Sequence, residues 1–95
     1  MFEWDPKKAS ANLTKHGISF EEASTVFADP NAMDGPDRYH SAGEIRWLRL
    51  GRSVLGSVVM VAYTLRRTEN GETIRIVSAR RASRKERAAY ARTDD

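Results

Sequence analysis

The chain contains no cysteine among its 95 residues, so it can form neither a disulfide nor a zinc-thiolate site. No apolar run approaches the roughly 18 residues that a membrane-spanning helix requires. The first residues also lack the basic stretch followed by an apolar one that defines a secretory signal peptide. Together these absences predict an intracellular protein of the cytoplasm, without a membrane partner.

Several chemical motifs are missing as well. There is no Gly-rich phosphate loop and no nucleophile motif of the Gly-x-Ser-x-Gly kind. Four residues in and after a polar loop, Asp34, Asp37, His40 and Glu44, offer oxygen and nitrogen ligands but match no metal-binding motif, and solvated loop charges explain them better. The sequence therefore predicts neither a metal site nor a cofactor.

Charge is divided unevenly along the chain. Residues 1–44 carry four basic and eight acidic side chains, whereas residues 45–95 carry twelve basic and five acidic ones. Eleven of those twelve cations are arginine, whose planar fork pairs bidentately with phosphate. Such a basic half favours a nucleic acid or an acidic protein as partner, and charge alone does not separate these from plain solvated charges on exposed strands.

Periodicity and turn residues predict one α+β domain over 1–95. The predicted elements are an edge strand over 1–4, helices over 6–16 and 20–28, a loop over 30–43 with a short strand at 32–34, a strand over 44–50, a turn over 52–56, a hairpin over 57–82 and a last helix after Ser83. Asp5 and Gly17 delimit the first helix, while Ser19 with Glu22 forms a capping box for the second. We expect a small antiparallel sheet of three to five strands, with two N-terminal helices and a C-terminal helix on one face.

The hairpin is the central element of this prediction. Asn70-Gly71 favours a two-residue type I′ turn, which would place Arg66 directly opposite Arg75. Because opposed like charges destabilise a sheet, an anion is expected over that face, either a carboxylate or a phosphate. The same alternation puts Arg80 on the core face unless a bulge near Ser78 redirects it.

Two groups of residues are candidates for chemistry. Lys15 and His16 end the first helix and either transfer a proton and stabilise an anion, or simply complement the helix dipole. Arg46, Arg66, Arg75 and Arg80 either bind phosphate or form ion pairs with Glu44, Glu69, Glu72, Glu86 or a partner. Tyr90 lies one helical turn after Glu86 and either contacts a substrate base or anchors the last helix.

The stretches FEWDPKKASANLTKHGISFEEASTVF and TIRIVSARRASRKERAAY resemble the BrnT family of toxins. The matching positions are Trp4, Asp5, Asn12, Lys15, His16, Gly17, Phe20, Ala23, Glu44, Arg46, Tyr63, Arg66, Arg75, Ser78, Ala79, Arg80, Ala82, Glu86 and Tyr90. Residues 30–43 contribute nothing specific to the resemblance.

That resemblance implies a RelE-like fold and a ribonuclease that arrests translation by metal-independent cleavage of RNA. It also implies a cognate BrnA-like antitoxin, a ribbon-helix-helix-like protein through which the complex would bind operator DNA and repress its own operon. The site residues expected on this basis are Lys15, His16, Arg66, Arg80, Glu86 and Tyr90 for catalysis, with Arg46, Arg66, Arg75 and Arg80 for RNA phosphate. The alternative is a basic binding module that grips an acidic protein or nucleic acid without cleaving it.

Overall fold

The computed structural model describes residues 1–39 and 43–93, with the side chain of residue 93 excluded, so His40 and the acidic end Asp94-Asp95 lie outside the described residues. The elements are β1 (Phe2–Glu3), α1 (Pro6–His16), α2 (Phe20–Thr25), β2 (Met33–Pro36), β3 (Trp47–Arg52), β4 (Val58–Thr68), β5 (Gly71–Arg81) and α3 (Arg84–Thr93). A short 3-10 turn, Val26–Ala28, continues α2. The predicted α+β class, with one small sheet and three helices, is confirmed.

The helices begin and end where their capping residues predict. The backbone N–H of Lys7 donates to Asp5 Oδ1 at 2.8 Å, and Gly17 ends α1 in the left-handed conformation with φ +71°. In α3 the capping box is reciprocal, because the Glu86 N–H donates to Ser83 Oγ at 3.1 Å and the Ser83 N–H donates to Glu86 Oε1 at 2.8 Å. Local side-chain chemistry is therefore sufficient to set these boundaries.

The strands form one five-stranded sheet in the order β1-β5-β4-β3-β2. The long strand β4 is central, as its apolar sequence predicts, and its neighbours β3 and β5 are antiparallel to it. The prediction of a purely antiparallel sheet was wrong in one respect, because β1 pairs with β5 in parallel. The direction of β1 depends on its contacts with β5, where the Ile74 N–H donates to the Met1 carbonyl at 2.8 Å, and is not encoded in its own two residues.

The hairpin turn lies one residue earlier than predicted. Thr68 pairs with Gly71, so the two turn residues are Glu69 and Asn70 rather than Asn70 and Gly71. Gly71 carries the positive φ, +117°, as the first residue of β5. The Asn70 N–H donates to Thr68 Oγ1 at 3.3 Å, and this side-chain contact favours the observed turn.

This shift separates the two arginines that were predicted to confront each other. Arg66 pairs with Thr73, and Arg75 pairs with Thr64. The anion expected over this face is present as Glu3 of β1, whose carboxylate oxygens lie 3.7 Å from Arg66 Nε and 3.7 Å from Arg75 Nη1. Within the described chain, the carboxylate alternative is the one realised at these two arginines.

A β-bulge redirects the end of β5. Tyr63 pairs with Ile76, whereas Ala62, the residue before Tyr63 in β4, pairs with Ser78, and this leaves one extra residue in β5. Arg80 consequently pairs with Met60 and not with Val61. The bulge that the alternation pattern required near Ser78 is therefore confirmed, and Arg80 leaves the core face.

Helices cover both faces of the sheet. α1 and α2 pack on one face, and the core there consists of Ile18, Phe20, Ala23, Val26, Val59, Val61, Ile76 and Ala79. Tyr90 of α3 packs with Leu50 and Ala82 against Val58 and Met60. Met60 alternates with the core residues Val59 and Val61 of β4, and Leu50 pairs with Met60. α3 therefore lies on the opposite face, and the expectation of helices on a single face was wrong.

The side chain of Asn12 joins α1 to β5 through hydrogen bonds to the backbone. Its Nδ2 donates to the carbonyls of Ala79 at 2.8 Å and Ile18 at 3.0 Å, while its Oδ1 accepts the Ala79 N–H at 3.1 Å. The side chain is buried, so these bonds satisfy backbone groups that water does not reach.

We expect Asn12→Ala to lower the free energy of unfolding by about 2–4 kcal/mol, because it leaves buried backbone groups of Ala79 and Ile18 unpaired. Urea unfolding followed by circular dichroism measures this change. Ser10→Ala, an exposed position of the same helix, is the matched control and should change stability by less than about 0.5 kcal/mol. Equal effects of the two substitutions would show that the Asn12 bonds do not stabilise the fold.

Candidate active site

A hollow of about 370 Å³ opens over the sheet between the end of α1 and the start of α3. Its floor is a row of small and apolar side chains, because Leu48, Ala62 and Ser78 are paired across three neighbouring strands. We call this site the central hollow. It is lined by His16, Asp37, Tyr39, Arg46, Leu48, Met60, Ala62, Ser78, Ala79 and Arg80.

His16 reaches the central hollow because Asn12 fixes the end of α1. The two residues are four positions apart and therefore lie on the same face of the helix. Since Asn12 is bonded to Ala79, His16 is held beside Ser78 and the bulge of β5. The imidazole is partly buried at the rim, where it can accept or donate a proton at a group bound inside.

Arg80 is held in a defined orientation by Glu86. Its Nη1 donates to Glu86 Oε1 at 2.7 Å and its Nη2 donates to Oε2 at 3.0 Å, which is the bidentate geometry of a strong ion pair. About 45% of the Arg80 side chain remains exposed, so the guanidinium still presents part of its surface to the central hollow. Glu86 is itself fixed by the capping box of α3. Its ion pair with Arg80 therefore connects the start of α3 to the central hollow.

The same contacts keep Glu86 ionised. The hydrogen bond from Arg80 is the largest cause, outweighing the opposing effect of burial, and together with the Ser83 N–H it lowers the pKa of Glu86 to about 2. The pKa of Arg80 is correspondingly raised, chiefly by its hydrogen bond to Glu86. A carboxylate with such a low pKa is a poor proton donor or acceptor near neutral pH, whereas its two hydrogen bonds hold the Arg80 guanidinium in place.

The opposite wall of the central hollow comes from the segments beside β2 and β3. Arg46 lies immediately before β3, and its carbonyl accepts the Asp37 N–H at 2.8 Å. Asp37 Oδ1 in turn accepts the N–H of Tyr39 at 3.2 Å. The Tyr39 ring is 95% exposed at the rim, where a nucleic-acid base has space to stack on it.

Three residues that line the central hollow were not predicted as site residues from the sequence: Tyr39, Asp37 and Ser78. An aromatic residue within a polar loop was the available signal for Tyr39, because such a loop offers no core for it to fill. Asp37 entered the prediction only as a possible metal ligand. Ser78 gave no local signal, since its position depends on the bulge.

Other predicted site residues lie outside the central hollow. Lys15 lines a smaller hollow of about 230 Å³ on the other side of His16. Arg66 and Arg75 lie farther along the sheet beside Glu3, and Arg75 is about 10 Å from Ser78 by the rise of a strand. Basic residues thus extend along the sheet away from the central hollow.

Tyr90 is placed as an anchor of α3. Its ring is 2% exposed, and its hydroxyl donates to Asp29 Oδ2 at 2.6 Å. Burial and this hydrogen bond raise the pKa of Tyr90. The structure therefore does not bring Tyr90 together with His16 and Arg80.

Among residues 1–39 and 43–93, no group of three or more histidine, aspartate or glutamate side chains is arranged to hold a metal ion. Asp34, one of the residues considered for this role, accepts hydrogen bonds from Arg49 Nη1 and the Tyr63 hydroxyl, both at 2.7 Å. The described helices include none long and apolar enough to cross a membrane.

Comparison with known proteins agrees with these features. Residues 4–86 match the family described as "Ribonuclease toxin, BrnT, of type II toxin-antitoxin system". The crystal structure of the Brucella abortus ribonuclease toxin BrnT, at 22% sequence identity, superposes with a TM-score of 0.64 over 88% of this chain and 99% of that one, and so has the same fold. No curated protein matches the sequence. Because the family match spans nearly the whole chain, including both helices and strands that build the central hollow, this protein belongs to the BrnT family of ribonuclease toxins of type II toxin-antitoxin systems.

Proposed function

We propose that the central hollow is where this toxin cleaves RNA, in the cytoplasm, and that the reaction needs no metal ion. The observation that carries the proposal is the convergence of an imidazole, His16, with two guanidinium groups, Arg46 and Arg80, around one concave surface. Membership of a ribonuclease family favours this enzyme over a non-catalytic basic binding module.

In the proposed reaction the RNA 2′-hydroxyl attacks the adjacent phosphorus, and the bond from phosphorus to the 5′-oxygen breaks. The 2′-hydroxyl loses its proton and the departing 5′-oxygen gains one, so a 2′,3′-cyclic phosphate and a 5′-hydroxyl are formed. His16 transfers one of these protons. Arg80 and Arg46 stabilise the negative charge that develops on the nonbridging oxygens.

The remaining predicted residues support this chemistry in the proposal. Glu86 is a positioning residue for Arg80, and Tyr39 stacks on a base next to the cleaved bond. Lys15, Arg66 and Arg75 attract the more distant RNA phosphates. Tyr90 holds α3, and with it Glu86, against the sheet.

A type II toxin is paired with an antitoxin. We further propose that the partner of this chain is a BrnA-like protein with a ribbon-helix-helix-like DNA-binding part. The complex would then bind operator DNA through the antitoxin and repress its own operon.

An RNA oligonucleotide with one 2′-deoxynucleotide tests the proposed reaction. We expect cleavage of the phosphodiester on the 3′ side of the deoxynucleotide to stop, because the nucleophile is missing, while other sites are still cut. The all-RNA oligonucleotide should be cleaved equally well with and without EDTA, yielding cyclic phosphate ends detectable by mass spectrometry. Cleavage at the deoxy position, or complete loss of activity in EDTA, would contradict the mechanism.

A further inference from the structure

The tight turn between β3 and β4, residues 53–57, presents two aliphatic side chains to solvent. Val54 is 76% exposed and Leu55 is 74% exposed. Turns usually expose small or polar residues, and Gly56, with φ +89°, already supplies the conformation that this turn requires. The two aliphatic side chains are therefore needed neither for the conformation of the turn nor for the packing of the core.

The turn is held firmly against α2. Ser53 Oγ donates to Glu22 Oε2 at 2.7 Å, and the Val54 N–H donates to Thr25 Oγ1 at 3.0 Å. Within the turn, the Gly56 N–H donates to the Ser53 carbonyl at 2.9 Å. A surface that is already ordered loses little conformational entropy when a partner binds to it.

Beside the turn lies a second hollow, of about 380 Å³, lined by Arg52, Arg81 and Arg87 together with Gly56 and Ser57. None of the three arginines forms an ion pair with a carboxylate in the part of the chain that the structure describes. Their guanidinium groups donate to neutral oxygens instead, at 3.2 Å, 3.2 Å and 2.9 Å for Arg52, Arg81 and Arg87 respectively. Three guanidinium groups that form no ion pair within the described residues make a site for an anionic partner. The Asp29 carboxylate nearby is held by the Arg52 N–H and the Tyr90 hydroxyl instead.

The neighbouring side chains indicate which anion fits. RNA-binding surfaces combine cations with exposed aromatic rings on which bases stack. The aromatic ring of this hollow, Tyr90, is 2% exposed, and the guanidinium of Arg52 lies 5.5 Å from its centroid. Aliphatic side chains next to arginines complement a protein segment that carries apolar residues beside carboxylates.

We propose that the antitoxin docks on the surface formed by Val54, Leu55, Arg52, Arg81 and Arg87 through an acidic, amphipathic segment. Its apolar side chains cover Val54 and Leu55, and its carboxylates enter the arginine hollow. This inference rests on the proposed antitoxin partner, but the surface is separate from the central hollow. The two hollows are neighbours along β4, since Val58 lines one and Met60 lines the other.

The test measures the affinity of the full-length toxin for its purified cognate antitoxin by isothermal titration calorimetry. We expect Leu55→Asp and Arg87→Glu each to weaken binding by about 30-fold or more, as for substitutions at the centre of an interface. Leu13→Asp and Arg84→Glu are the matched controls, because they change exposed residues of the same types outside this surface, and they should bind like the parent. Salt should weaken binding by the parent more steeply than binding by Arg87→Glu.

Cleavage of RNA by each free variant is measured in parallel, with thermal melts to verify folding. Parental cleavage rates together with weakened antitoxin binding support the proposal. Unchanged antitoxin binding in both variants overturns the proposal. If RNA cleavage falls while antitoxin binding is retained, the proposal is also overturned, because the surface then binds RNA. If the parent itself does not cleave RNA, the proposed reaction fails, while a loss of antitoxin affinity in the variants still supports this docking surface.

Discussion

Arg80→Ala is expected to lower the rate of RNA cleavage by about 100-fold to 1000-fold while the protein remains folded, because it removes a donor to the charge of the transition state. Single-turnover cleavage of an RNA oligonucleotide measures the rate. In cells, the same substitution should restore growth under induction of the toxin. The expected effect is large because Arg80 combines an oriented guanidinium with an open side toward the central hollow.

Two further variants separate the charge of Arg80 from its orientation. Arg80→Lys keeps the charge but not the planar fork, so we expect most of the activity to be lost. Glu86→Gln removes the ionised partner and should produce a smaller loss, because Arg80 remains present but is held less firmly. Arg84→Ala, an exposed arginine of α3 outside the central hollow, is the control and should retain parental activity. If Arg80→Ala arrests growth as strongly as the parent, Arg80 does not stabilise the transition state.

His16→Ala is expected to slow cleavage by about 100-fold or more, as for removal of a general acid or base. Lys15→Ala should have a much smaller effect, because Lys15 lines the hollow on the other side of His16. This contrast was not available from the sequence, where the two neighbouring residues were equal candidates. The measurement is again the single-turnover rate at saturating protein.

Imidazole added to the solution distinguishes proton transfer from a structural role. Removal of the His16 side chain enlarges a hollow that is open to solvent, so free imidazole should partly restore cleavage by His16→Ala. It should have no such effect on Lys15→Ala or on the parent. A parental cleavage rate for His16→Ala without imidazole would show that His16 transfers no proton. Its role would then be to complement the dipole of α1, which is the alternative that the sequence left open.

The local parts of the fold were predictable because their signals lie within a few residues of each other. Asp5 and Gly17 delimit α1 through contacts to their own helix, and the Ser83-Glu86 box does the same for α3. The shared face of Tyr63 and Ile76 was also predictable, because alternate residues of a strand lie on one face and the two strands are joined by a short turn.

The hairpin register was harder to predict because two turns compete at Asn70-Gly71. The two turns differ by one position in the chain, which shifts the pairing of the strands by two residues, so every side chain keeps its face but changes its partner. The choice between them depends on weak contacts such as that of Thr68 Oγ1 with the Asn70 N–H. As a result, Arg66 and Arg75 were expected to oppose each other directly, whereas both contact Glu3.

Among the site residues, the sequence identified side chains suited to phosphate chemistry but not which of them would meet. His16 and Arg80 are 64 positions apart, and their proximity depends on the clamp of Asn12 on Ala79 and on the bulge before Ser78. Neither feature has a strong local signal. Tyr90, by contrast, is separated from that site because its ring fills the space between α3 and the sheet.

By itself, the sequence of this protein determined the helix ends, the inward and outward faces of its strands and the concentration of arginine in its second half. These properties follow from neighbouring residues and from periodicity, so they do not require knowledge of the rest of the fold. Tertiary structure alone decided the parallel pairing of β1, the register of the hairpin and the meeting of His16 with Arg80 and Arg46. The physical reason is that each depends on packing and hydrogen bonds between segments distant in the chain, whose free energies are small individually and select one arrangement only in combination.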